Sequence, residues 1–351
     1  MTFAIQENVS LAEFTTLKIG GDARFFVSAK SETEIIETVQ FARKRNLQIF
    51  ILGGGSNVLI ADAGFDGLVL HIATKGISLA SRKNEIVSVT AQAGEDWDNF
   101  VAFCVKENLQ GIECLSGIPG LIGGTPVQNV GAYGQEVSET IVAVRCLERK
   151  SGKIVEMTNA DCRFAYRASV FNTVEKDRFI VLAVTFALRF GGEPKIVYRD
   201  LLNFFGGKKP NLSETRNAVL KIRAEKSMVI DASDPNSRSA GSFFKNPVIT
   251  KERFADVRER AGQQGIESVP FFTIDENHLK VPAAWLIEQS GFGKGFGFGR
   301  VGLSTKHTLA IINQGDATAA DVLALKENIQ VKVKEIFGID LLPEPVFVGN
   351  F

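Results

Sequence analysis

Residues 239–247 bring a hydroxyl, an ammonium and an amide together in one short stretch of the chain. Ser242, Lys245 and Asn246 supply these groups beside two phenylalanines, and Gly241 allows the backbone to approach a ligand closely. A correctly oriented serine hydroxyl can donate a proton to a strongly basic carbon centre, although it is a poor acid in water. The alternative is a loop of small residues that turns into a half-buried strand. Ser242 is therefore a candidate proton donor whose role depends on the rest of the chain.

A first glycine-rich segment could bind the phosphate of a nucleotide. Residues 49–52 are a short apolar run that predicts a buried strand, and residues 53–57, with the sequence Gly-Gly-Gly-Ser-Asn, follow it directly. Successive glycines after such a strand can turn several backbone N–H groups toward one anion. The alternative is a tight turn that binds nothing.

A second glycine-rich segment covers residues 116–134. Its glycines alternate with isoleucine, leucine and valine rather than with serine and lysine, which does not suit a flexible linker. The pattern favours a backbone packed against a large flat ligand, with the amides of Gln128 and Asn129 at the polar edges of that ligand. A buried, glycine-lined domain junction is the alternative.

Arg167 is a candidate for binding a carboxylate. It lies in an aromatic-rich segment, residues 162–171, where a guanidinium would be held rigidly. The planar fork of arginine matches a carboxylate in two hydrogen bonds. A structural ion pair would explain the same residue equally well.

The helices that must position these residues are predicted from their caps. Ser31 followed by Glu34 predicts a helix N-terminus with a capping box. Ser213 is expected to cap a second helix, and Thr318 a long third one that ends before Gly338.

A formal GxGxxG match at residues 297–302 is not a dinucleotide fingerprint. No strand precedes it, and a strand at residues 308–312 follows where a helix is required. The motif therefore adds no separate dinucleotide-binding domain.

The composition is that of a folded, water-soluble protein with more than one domain. At 351 residues the chain exceeds the size at which one core usually stops growing. Its 40 lysines and arginines balance 40 aspartates and glutamates, which gives no indication of a nucleic-acid-binding or membrane-binding surface. The chain shows neither a leader of basic and apolar residues nor a run long enough to cross a bilayer, so a cytoplasmic location is expected.

Neither a metal centre nor a disulfide framework is predicted. The four cysteines include no CxxC pair and lie in apolar or mixed surroundings, which indicates reduced thiols. The three histidines are too scattered for a metal site. These residues are Cys104, Cys114, Cys146 and Cys162, with His71, His278 and His307.

Taken together, these segments resemble the UDP-N-acetylenolpyruvoylglucosamine reductases, also called UDP-N-acetylmuramate dehydrogenases, of bacterial cell-wall synthesis. The resemblance runs in order from about Thr15 to Gly349, and five motifs in the same order are far more specific than any one of them. The motifs are residues 53–59, residues 117–120 with 126–134, Tyr166-Arg167, residues 240–247 and Pro343-Glu344.

The resemblance implies an α+β fold. Two FAD-binding subdomains of the vanillyl-alcohol-oxidase type would precede an α/β substrate domain. We place the first subdomain at residues 1–73, the second at 74–225 and the substrate domain at 226–351. The tail from about residue 340 is expected to return to the FAD site.

The resemblance also implies a reaction. NADPH reduces the bound FAD, leaves, and is replaced by UDP-N-acetylglucosamine enolpyruvate. Hydride then adds to the terminal methylene carbon of the enol ether, and Ser242 delivers a proton to the neighbouring carbon, which gives UDP-N-acetylmuramate. Arg167 and Glu344 would stabilise the enolate of the substrate carboxylate, which is where negative charge builds as hydride arrives.

The same resemblance assigns the residues that hold substrate and cofactor. Tyr198 and Asn246 should touch the substrate diphosphate, Lys226 should pair with it, and His307 should lie near the uracil; Lys245 could replace Lys226. The Tyr198 region looks like that of family members with a tyrosine-bearing lid. The FAD contacts are expected from Gly53, Gly54, Gly55, Ser56, Asn57, Gly120, Gly123, Gly124, Thr125, Gln128 and Asn129.

The chain departs from the family pattern at three places. Pro345 follows Glu344 where the family often has Val-Arg, and a proline cannot donate to a strand ladder. The spacing from Lys226 to Asp234 is longer than in many members. Gly54 stands where some members have an acidic residue, and we expect FAD binding to survive this difference.

Two other functions fit parts of the pattern. Another FAD-dependent oxidoreductase of the same fold would act on a hydroxy acid or lactone, and a nucleotide-sugar-binding protein without redox chemistry would be colourless. Against both, we expect an NADPH- and FAD-dependent enzyme. Its substrate would be a small molecule, and we expect a monomer with no nucleic-acid partner and no membrane insertion.

Overall fold

The computed structural model describes residues 4–80 and 84–351; residues 1–3 and 81–83, which fall in the first and second predicted subdomains, lie outside these ranges. By its internal contacts the chain divides into two units, each made of several chain segments. The division into three domains remains a prediction. Unit 1 comprises the residues up to Val9, Ala23–Gly55 and Asp66–Val229, and unit 2 comprises Ser10–Asp22, Ser56–Phe65 and Ile230–Phe351.

The described residues form both helices and strands, whose bounds are as follows. The helices are α1 Glu32–Lys44, α2 Trp97–Lys106, α3 Asn159–Cys162, α4 Arg199–Phe205, α5 Leu212–Glu225, α6 Lys251–Gln263, α7 Ala283–Gln289 and α8 Ala319–Phe337. The strands are β1 Gln6–Ser10, β2 Asp22–Ala29, β3 Ile49–Leu52, β4 Val58–Ile60, β5 Phe65–Ile72, β6 Ile77–Leu79, β7 Ile86–Gln92, β8 Leu109–Gln110, β9 Gly131–Ala132, β10 Gln135–Glu136, β11 Ile141–Glu148, β12 Ile154–Thr158, β13 Phe179–Phe190, β14 Val248–Thr250, β15 Phe272–Thr273, β16 His278–Lys280, β17 Gly297–Phe298, β18 Val301–Leu303, β19 Ile311–Asn313 and β20 Val346–Val348.

Unit 1 is built on two main sheets. A four-stranded sheet has the order β1-β2-β5-β3, in which β3 and β5 are parallel and are joined by residues 53–64, which hold the first glycine segment and β4. A larger antiparallel sheet has the order β12-β11-β13-β7-β6, with β8 also paired to β13. The buried rings of Trp97, Phe100 and Phe186 lie 5.0 to 5.9 Å apart and join α2 to this sheet.

Unit 2 packs α8 against smaller sheets. Leu325, Ile329, Val333 and Phe337 recur at helical spacing along α8 and are fully buried. The sheets have the orders β14-β16-β15 and β17-β18-β19, and β20 pairs with β4 in parallel. The GxGxxG match forms the hairpin of β17 and β18, which confirms that it is not a dinucleotide loop.

Most of the predicted helix caps are confirmed. The Ser31 side chain accepts a hydrogen bond from the Glu34 N–H, although the Glu34 carboxylate accepts from Lys30 rather than from Ser31. Thr318 forms a full capping box, and α8 ends at Gly338 with a left-handed φ of 69°.

The prediction for Ser213 is wrong. Asn211 is the cap of α5, and its side chain accepts from the Glu214 N–H while the Glu214 carboxylate accepts from the Asn211 N–H. Ser213 instead lies in the first turn of the helix. Asn211 is the cap because an acidic residue stands three positions after it and completes the capping box, whereas Arg216 stands three positions after Ser213.

The four cysteines are buried free thiols. Burial raises their pKa values, that of Cys162 to about 11, so they stay protonated at neutral pH. Across residues 4–80 and 84–351, no cluster of histidine, cysteine and acidic side chains has the composition of a metal site. None of the helices in those ranges has the length and apolar character needed to cross a bilayer.

Candidate functional site

The two glycine-rich segments meet in unit 1. The first follows β3, and Gly55 within it has a left-handed φ of 62°. A Cβ added to Gly54 would lie 2.8 Å from the Cα of Gly120 in the second segment, closer than real Cβ atoms approach backbone. Glycine at position 54 is therefore required for the two segments to lie this close.

Backbone hydrogen bonds fix the second segment against the start of α2. The carbonyl of Gly120 accepts from the Trp97 N–H at 3.0 Å, and the Gly123 N–H donates to the Ala93 carbonyl at 2.8 Å. The Thr125 hydroxyl donates to the Ile122 carbonyl at 2.8 Å. Because these backbone and hydroxyl groups bond to other protein groups, they hold the segment rigidly. Its remaining surface can contact a ligand.

A cavity of about 200 Å³ lies where the two segments meet. Gly53 and Gly124 line it, and a methyl group added to either would meet no protein atom within 4 Å, so these glycines keep the space open. Sites for whole ligands span roughly 300–1,000 Å³, so this cavity suits one part of a dinucleotide. Its walls are otherwise mainly apolar, including Phe50, Ile51 and Phe171, and the residues present fit FAD.

Arg149 and Asp177 supply charge to this cavity and were missed by the sequence analysis. The Arg149 guanidinium donates to the carbonyls of Asp177 at 2.9 Å and Ile49 at 3.3 Å. Burial lowers the pKa of Arg149. No local motif marks either residue; the pairing of β11 with β13 brings Arg149 and Asp177 together, and the hydrogen bond to Ile49 places Arg149 beside β3.

The Asn129 amide makes its hydrogen bonds within the protein. Its nitrogen donates to the Glu136 carboxylate at 2.7 Å and to the Ala165 carbonyl at 3.1 Å, and its oxygen accepts from the Ser138 N–H at 3.2 Å. Asn129 is buried and has a left-handed φ of 45°. Its side chain therefore ties the second glycine segment to the loop that carries Arg167, and a contact of Asn129 with FAD stays a prediction.

Arg167 occupies a turn position that usually belongs to glycine. Ala165 and Ala168 exchange both backbone hydrogen bonds across the turn, and Arg167 between them has a left-handed φ of 53°. Such a conformation costs about 1–2 kcal/mol for a residue with a Cβ. Arg167 is half-buried, its Nη2 donates to the Gly131 carbonyl at 3.0 Å, and its own carbonyl accepts from Asn172. The strain is consistent with a side chain placed for function.

Ser242 and Glu344 lie on adjacent antiparallel segments of unit 2. The Phe243 N–H donates to the Leu309 carbonyl at 2.7 Å, and the Phe243 carbonyl accepts from the Glu344 N–H at 2.9 Å. Phe244 forms a bridge with Pro343. Glu344 thus stands across from Phe243, one residue from the half-buried Ser242.

Asn57 of the first glycine segment is tied to the same place. Its amide donates to the Glu344 carbonyl at 3.4 Å, and its own carbonyl accepts from the Val346 N–H at 3.0 Å. Strand β20 begins only after Pro345, as expected for a residue that cannot donate to the ladder. A predicted cofactor residue and two predicted catalytic residues are therefore neighbours within unit 2.

The predicted substrate residues of unit 1 lie at the start of α4 and at the end of α5. Tyr198 precedes α4, is 43% exposed, and packs its ring edge-on against Tyr133 with centroids 5.4 Å apart. Lys226 ends α5 and pairs with Asp200 of α4 at 2.6 Å. Asp200 was not found from the sequence, because it belongs to no local motif, and Tyr133 was given no role there although it lies in the second glycine segment.

The predicted substrate residues of unit 2 are each fixed by a backbone contact. The Asn246 side-chain oxygen accepts from the Ala283 N–H at 2.8 Å, at the start of α7. The side-chain nitrogen is therefore the atom of Asn246 that would donate to a ligand. The His307 Nδ1 accepts from the Leu309 N–H at 3.0 Å, so the ring proton lies on Nε2. The Lys245 N–H donates to the Leu342 carbonyl.

A charged network that the sequence did not predict supports the second glycine segment. Arg216 of α5 binds the Asp98 carboxylate of α2 through two hydrogen bonds of 2.6 and 2.8 Å. Asp98 also accepts from the Gly117 N–H at 2.6 Å. Burial alone would raise the pKa of Asp98, but the bonds from Arg216 and Gly117 outweigh it and hold the pKa below its usual value.

The roles assigned to the individual site residues stay predictions. Arg167 belongs to unit 1, whereas Ser242 and Glu344 belong to unit 2. Gly53, Gly54, Gly55, Gly120, Gly123, Gly124, Thr125, Gln128 and Asn129 lie in unit 1, as do Tyr198 and Lys226; Ser56, Asn57, Asn246 and His307 lie in unit 2.

Two family models match the chain. Residues 23–158 match an FAD-binding domain, and residues 234–348 match the C-terminal domain of UDP-N-acetylenolpyruvoylglucosamine reductase. The UDP-N-acetylenolpyruvoylglucosamine reductase of Thermobifida fusca is 44% identical over 355 residues, with 99% of each chain covered. That of Streptomyces coelicolor is 45% identical over 346 residues, covering 97% of this chain and 89% of the other.

A solved structure supports the fold. The UDP-N-acetylenolpyruvylglucosamine reductase of Thermus caldophilus aligns with a TM-score of 0.66 at 23% identity, covering 99% of this chain and 100% of the other. The predicted α+β class and the predicted FAD-binding domain are confirmed. The chain therefore belongs to the UDP-N-acetylenolpyruvoylglucosamine reductase family, whose members are FAD-dependent oxidoreductases of peptidoglycan precursor synthesis.

Proposed function

We propose that this enzyme uses NADPH to reduce UDP-N-acetylglucosamine enolpyruvate to UDP-N-acetylmuramate. The observation that carries the proposal is the backbone pairing that puts Glu344 across from Phe243, next to Ser242, with Asn57 of a glycine segment bonded to the Glu344 carbonyl. This arrangement supplies a proton donor and a carboxylate beside a predicted cofactor residue. The relatives at 44% and 45% identity support the same substrate.

FAD, held by the two glycine segments, would supply the hydride, derived from NADPH, that the terminal methylene carbon of the enol ether takes up. Electron density from the double bond moves onto the neighbouring carbon and the substrate carboxylate. Arg167 is assigned to bind this carboxylate through its planar fork. Because the charge on the carboxylate grows during the step, the arginine stabilises the transition state more than the bound substrate.

Ser242 is assigned as the general acid. Its O–H bond breaks as a new C–H bond forms at the carbon next to the carboxylate, and solvent returns the proton to the serine oxygen afterwards. Glu344 is assigned to orient a water or share a proton at the enolic oxygens. Its backbone is fixed by the hydrogen bonds to Phe243 and Asn57, which limits how far its carboxylate can move.

The nucleotide part of the substrate is assigned to four side chains. Lys226 and the Asn246 amide nitrogen would meet the diphosphate, which needs positive charge and donors. Tyr198 would contact the diphosphate from the α4 segment, acting as part of a lid. The Nε2–H of His307 can donate to a uracil carbonyl.

Three broader assignments belong to the same proposal. We place the enzyme in the cytoplasm, where UDP-sugars and NADPH are available, and we assign it as a monomer. We also propose two FAD-binding subdomains, residues 1–73 and 74–225, followed by a substrate domain.

The experiment is a pair of anaerobic half-reactions on the purified protein. NADPH should bleach the yellow flavin, and one equivalent of UDP-N-acetylglucosamine enolpyruvate should restore the colour and yield UDP-N-acetylmuramate by mass spectrometry. Direct reduction of the flavin by a hydroxy acid or lactone, together with no reoxidation by the enolpyruvyl sugar, would contradict the proposal. A colourless protein would remove the flavin from it.

A further inference from the structure

Lys226 already has an anionic partner on α4. Its Nζ lies 2.6 Å from the Asp200 Oδ2, and the two side chains are 37% and 35% exposed. Burial lowers the pKa of Lys226, but the hydrogen bond with Asp200 outweighs burial and leaves the pKa above its ordinary value. The ammonium is therefore charged, and its nearest anion belongs to the protein.

Packing holds Asp200 in this position. The next residue, Leu201, is fully buried in a cluster with Val219 and Ile222 of α5. The residue pair thus joins two helices whose contact is set by apolar side chains rather than by the ion pair itself. Removing the charge of Asp200 should leave α4 in place.

The segment before α4 is fixed as well. Tyr198 packs edge-on against Tyr133, and Val197 lies so near Gly134 that a Cβ on this glycine would approach Val197 Cγ2 to 2.5 Å. Gly134 also has a left-handed φ of 83°. The α4 segment therefore rests against the second glycine segment and α5 in one defined arrangement within unit 1.

We propose that the Asp200 carboxylate occupies the position at Lys226 that the substrate diphosphate takes when it binds. This inference rests on the proposed role of Lys226 as the diphosphate partner. When a nucleoside diphosphate binds, the Lys226–Asp200 contact is exchanged for a contact between the Lys226 Nζ and a phosphate oxygen. Because one ammonium then serves two competing anions, Asp200 weakens the binding of substrate and product alike and speeds release of the product.

The test uses the FAD-loaded enzyme with UDP and uridine as probes, since uridine lacks the diphosphate. Asp200→Asn keeps the size of the side chain and removes its charge. A surface ion pair of this exposure corresponds to an effect of about fivefold, so UDP should bind about fivefold more tightly while uridine binds as before. Titration calorimetry measures both, and Asp200→Ser provides a second variant with the same expected direction.

Glu85→Gln is the matched control. It removes one carboxylate from an exposed ion pair with Arg189 and changes the net charge by the same amount. Both affinities should stay at the wild-type values in this variant. Tighter UDP binding in Glu85→Gln would mean that net charge, rather than the Asp200 contact, governs affinity, and would overturn the inference.

Lys226→Gln separates this inference from the assignment on which it rests. UDP binding should weaken in Lys226→Gln, and Asp200→Asn should have no further effect in that background. Unchanged UDP affinity in Lys226→Gln would remove Lys226 from the diphosphate site. Weakened binding in Lys226→Gln together with unchanged or weakened binding in Asp200→Asn would leave Lys226 assigned and show that Asp200 only supports it.

Discussion

Gly54→Ala should destabilise the protein because it forces the two glycine segments apart. The new methyl group would lie 2.8 Å from the Gly120 Cα, 3.2 Å from its carbonyl carbon and 3.4 Å from the Leu121 nitrogen. All three atoms belong to the backbone, which cannot rotate away as a flexible side chain would. The backbone at Gly120 is also held by its hydrogen bond from Trp97.

The size of the effect follows from two opposing contributions. Overpacking against fixed atoms costs about 1–3 kcal/mol. Replacing glycine by alanine restricts the unfolded chain, which raises the free energy of unfolding by about 0.4–1 kcal/mol. The free energy of unfolding should therefore fall by about 1–2 kcal/mol, which corresponds to roughly 3–6 °C in Tm for a domain of this size. Thermal unfolding of the FAD-free protein measures this change in Tm.

Gly124→Ala is the informative contrast. The same methyl group at this position meets no protein atom within 4 Å and enters the cavity instead. The Tm of the FAD-free protein should stay within about 1 °C of wild type, while the affinity for FAD falls about tenfold because the methyl takes space from the ligand. An FAD-free Gly54→Ala protein as stable as wild type, or a Gly124→Ala protein that binds FAD normally, would refute this account of the site.

Two further predictions concern charged residues. Arg167→Lys should lower kcat/KM by about 100-fold in steady-state assays, because an ammonium cannot form the two parallel hydrogen bonds of a guanidinium; wild-type activity would take Arg167 out of the site. Asp98→Asn should lower the free energy of unfolding by about 2 kcal/mol at pH 7, because it breaks the charged bonds to Arg216 and Gly117. The folded pKa of Asp98 is depressed, so its contribution is full above the unfolded value near 4 and is lost as the pH falls through the lower folded value. Urea unfolding should therefore show a smaller difference between wild type and Asp98→Asn at pH 3 than at pH 7, and an equal difference would contradict the pKa argument.

Local signals predicted the elements of this fold well. The apolar run at residues 49–52 is β3, and Thr318 and Gly338 mark the two ends of α8. These features are set within a few residues of the chain, where capping and strand patterns act. The same kind of signal, a carboxylate three positions after the cap, could also have identified Asn211 in place of Ser213.

Contacts between distant residues were beyond the sequence pattern. Asp98 and Arg216 are 118 residues apart, and no periodicity relates them. The Asn129 amide is committed to Glu136 and Ala165, which depends on how two loops fold back on each other. Single residue types indicate which group is available for chemistry, but only the tertiary fold shows whether another part of the protein already uses it.

The pairing of Lys226 with Asp200 likewise depends on the tertiary fold. The sequence marks Lys226 as a cation for a diphosphate, yet Asp200 reaches it because Leu201 packs α4 onto α5. The left-handed turn at Arg167 is likewise invisible in the sequence, since arginine gives no indication of a positive φ.

The most direct test of the proposed mechanism is stopped-flow measurement of both half-reactions in Ser242→Ala. Flavin reduction by NADPH should proceed at nearly the wild-type rate, because no proton from residue 242 is needed there. Reoxidation by UDP-N-acetylglucosamine enolpyruvate should slow by several orders of magnitude, since the neighbouring carbon then lacks its proton donor. Equal slowing of both steps, or reoxidation at the wild-type rate, would contradict the assignment of Ser242.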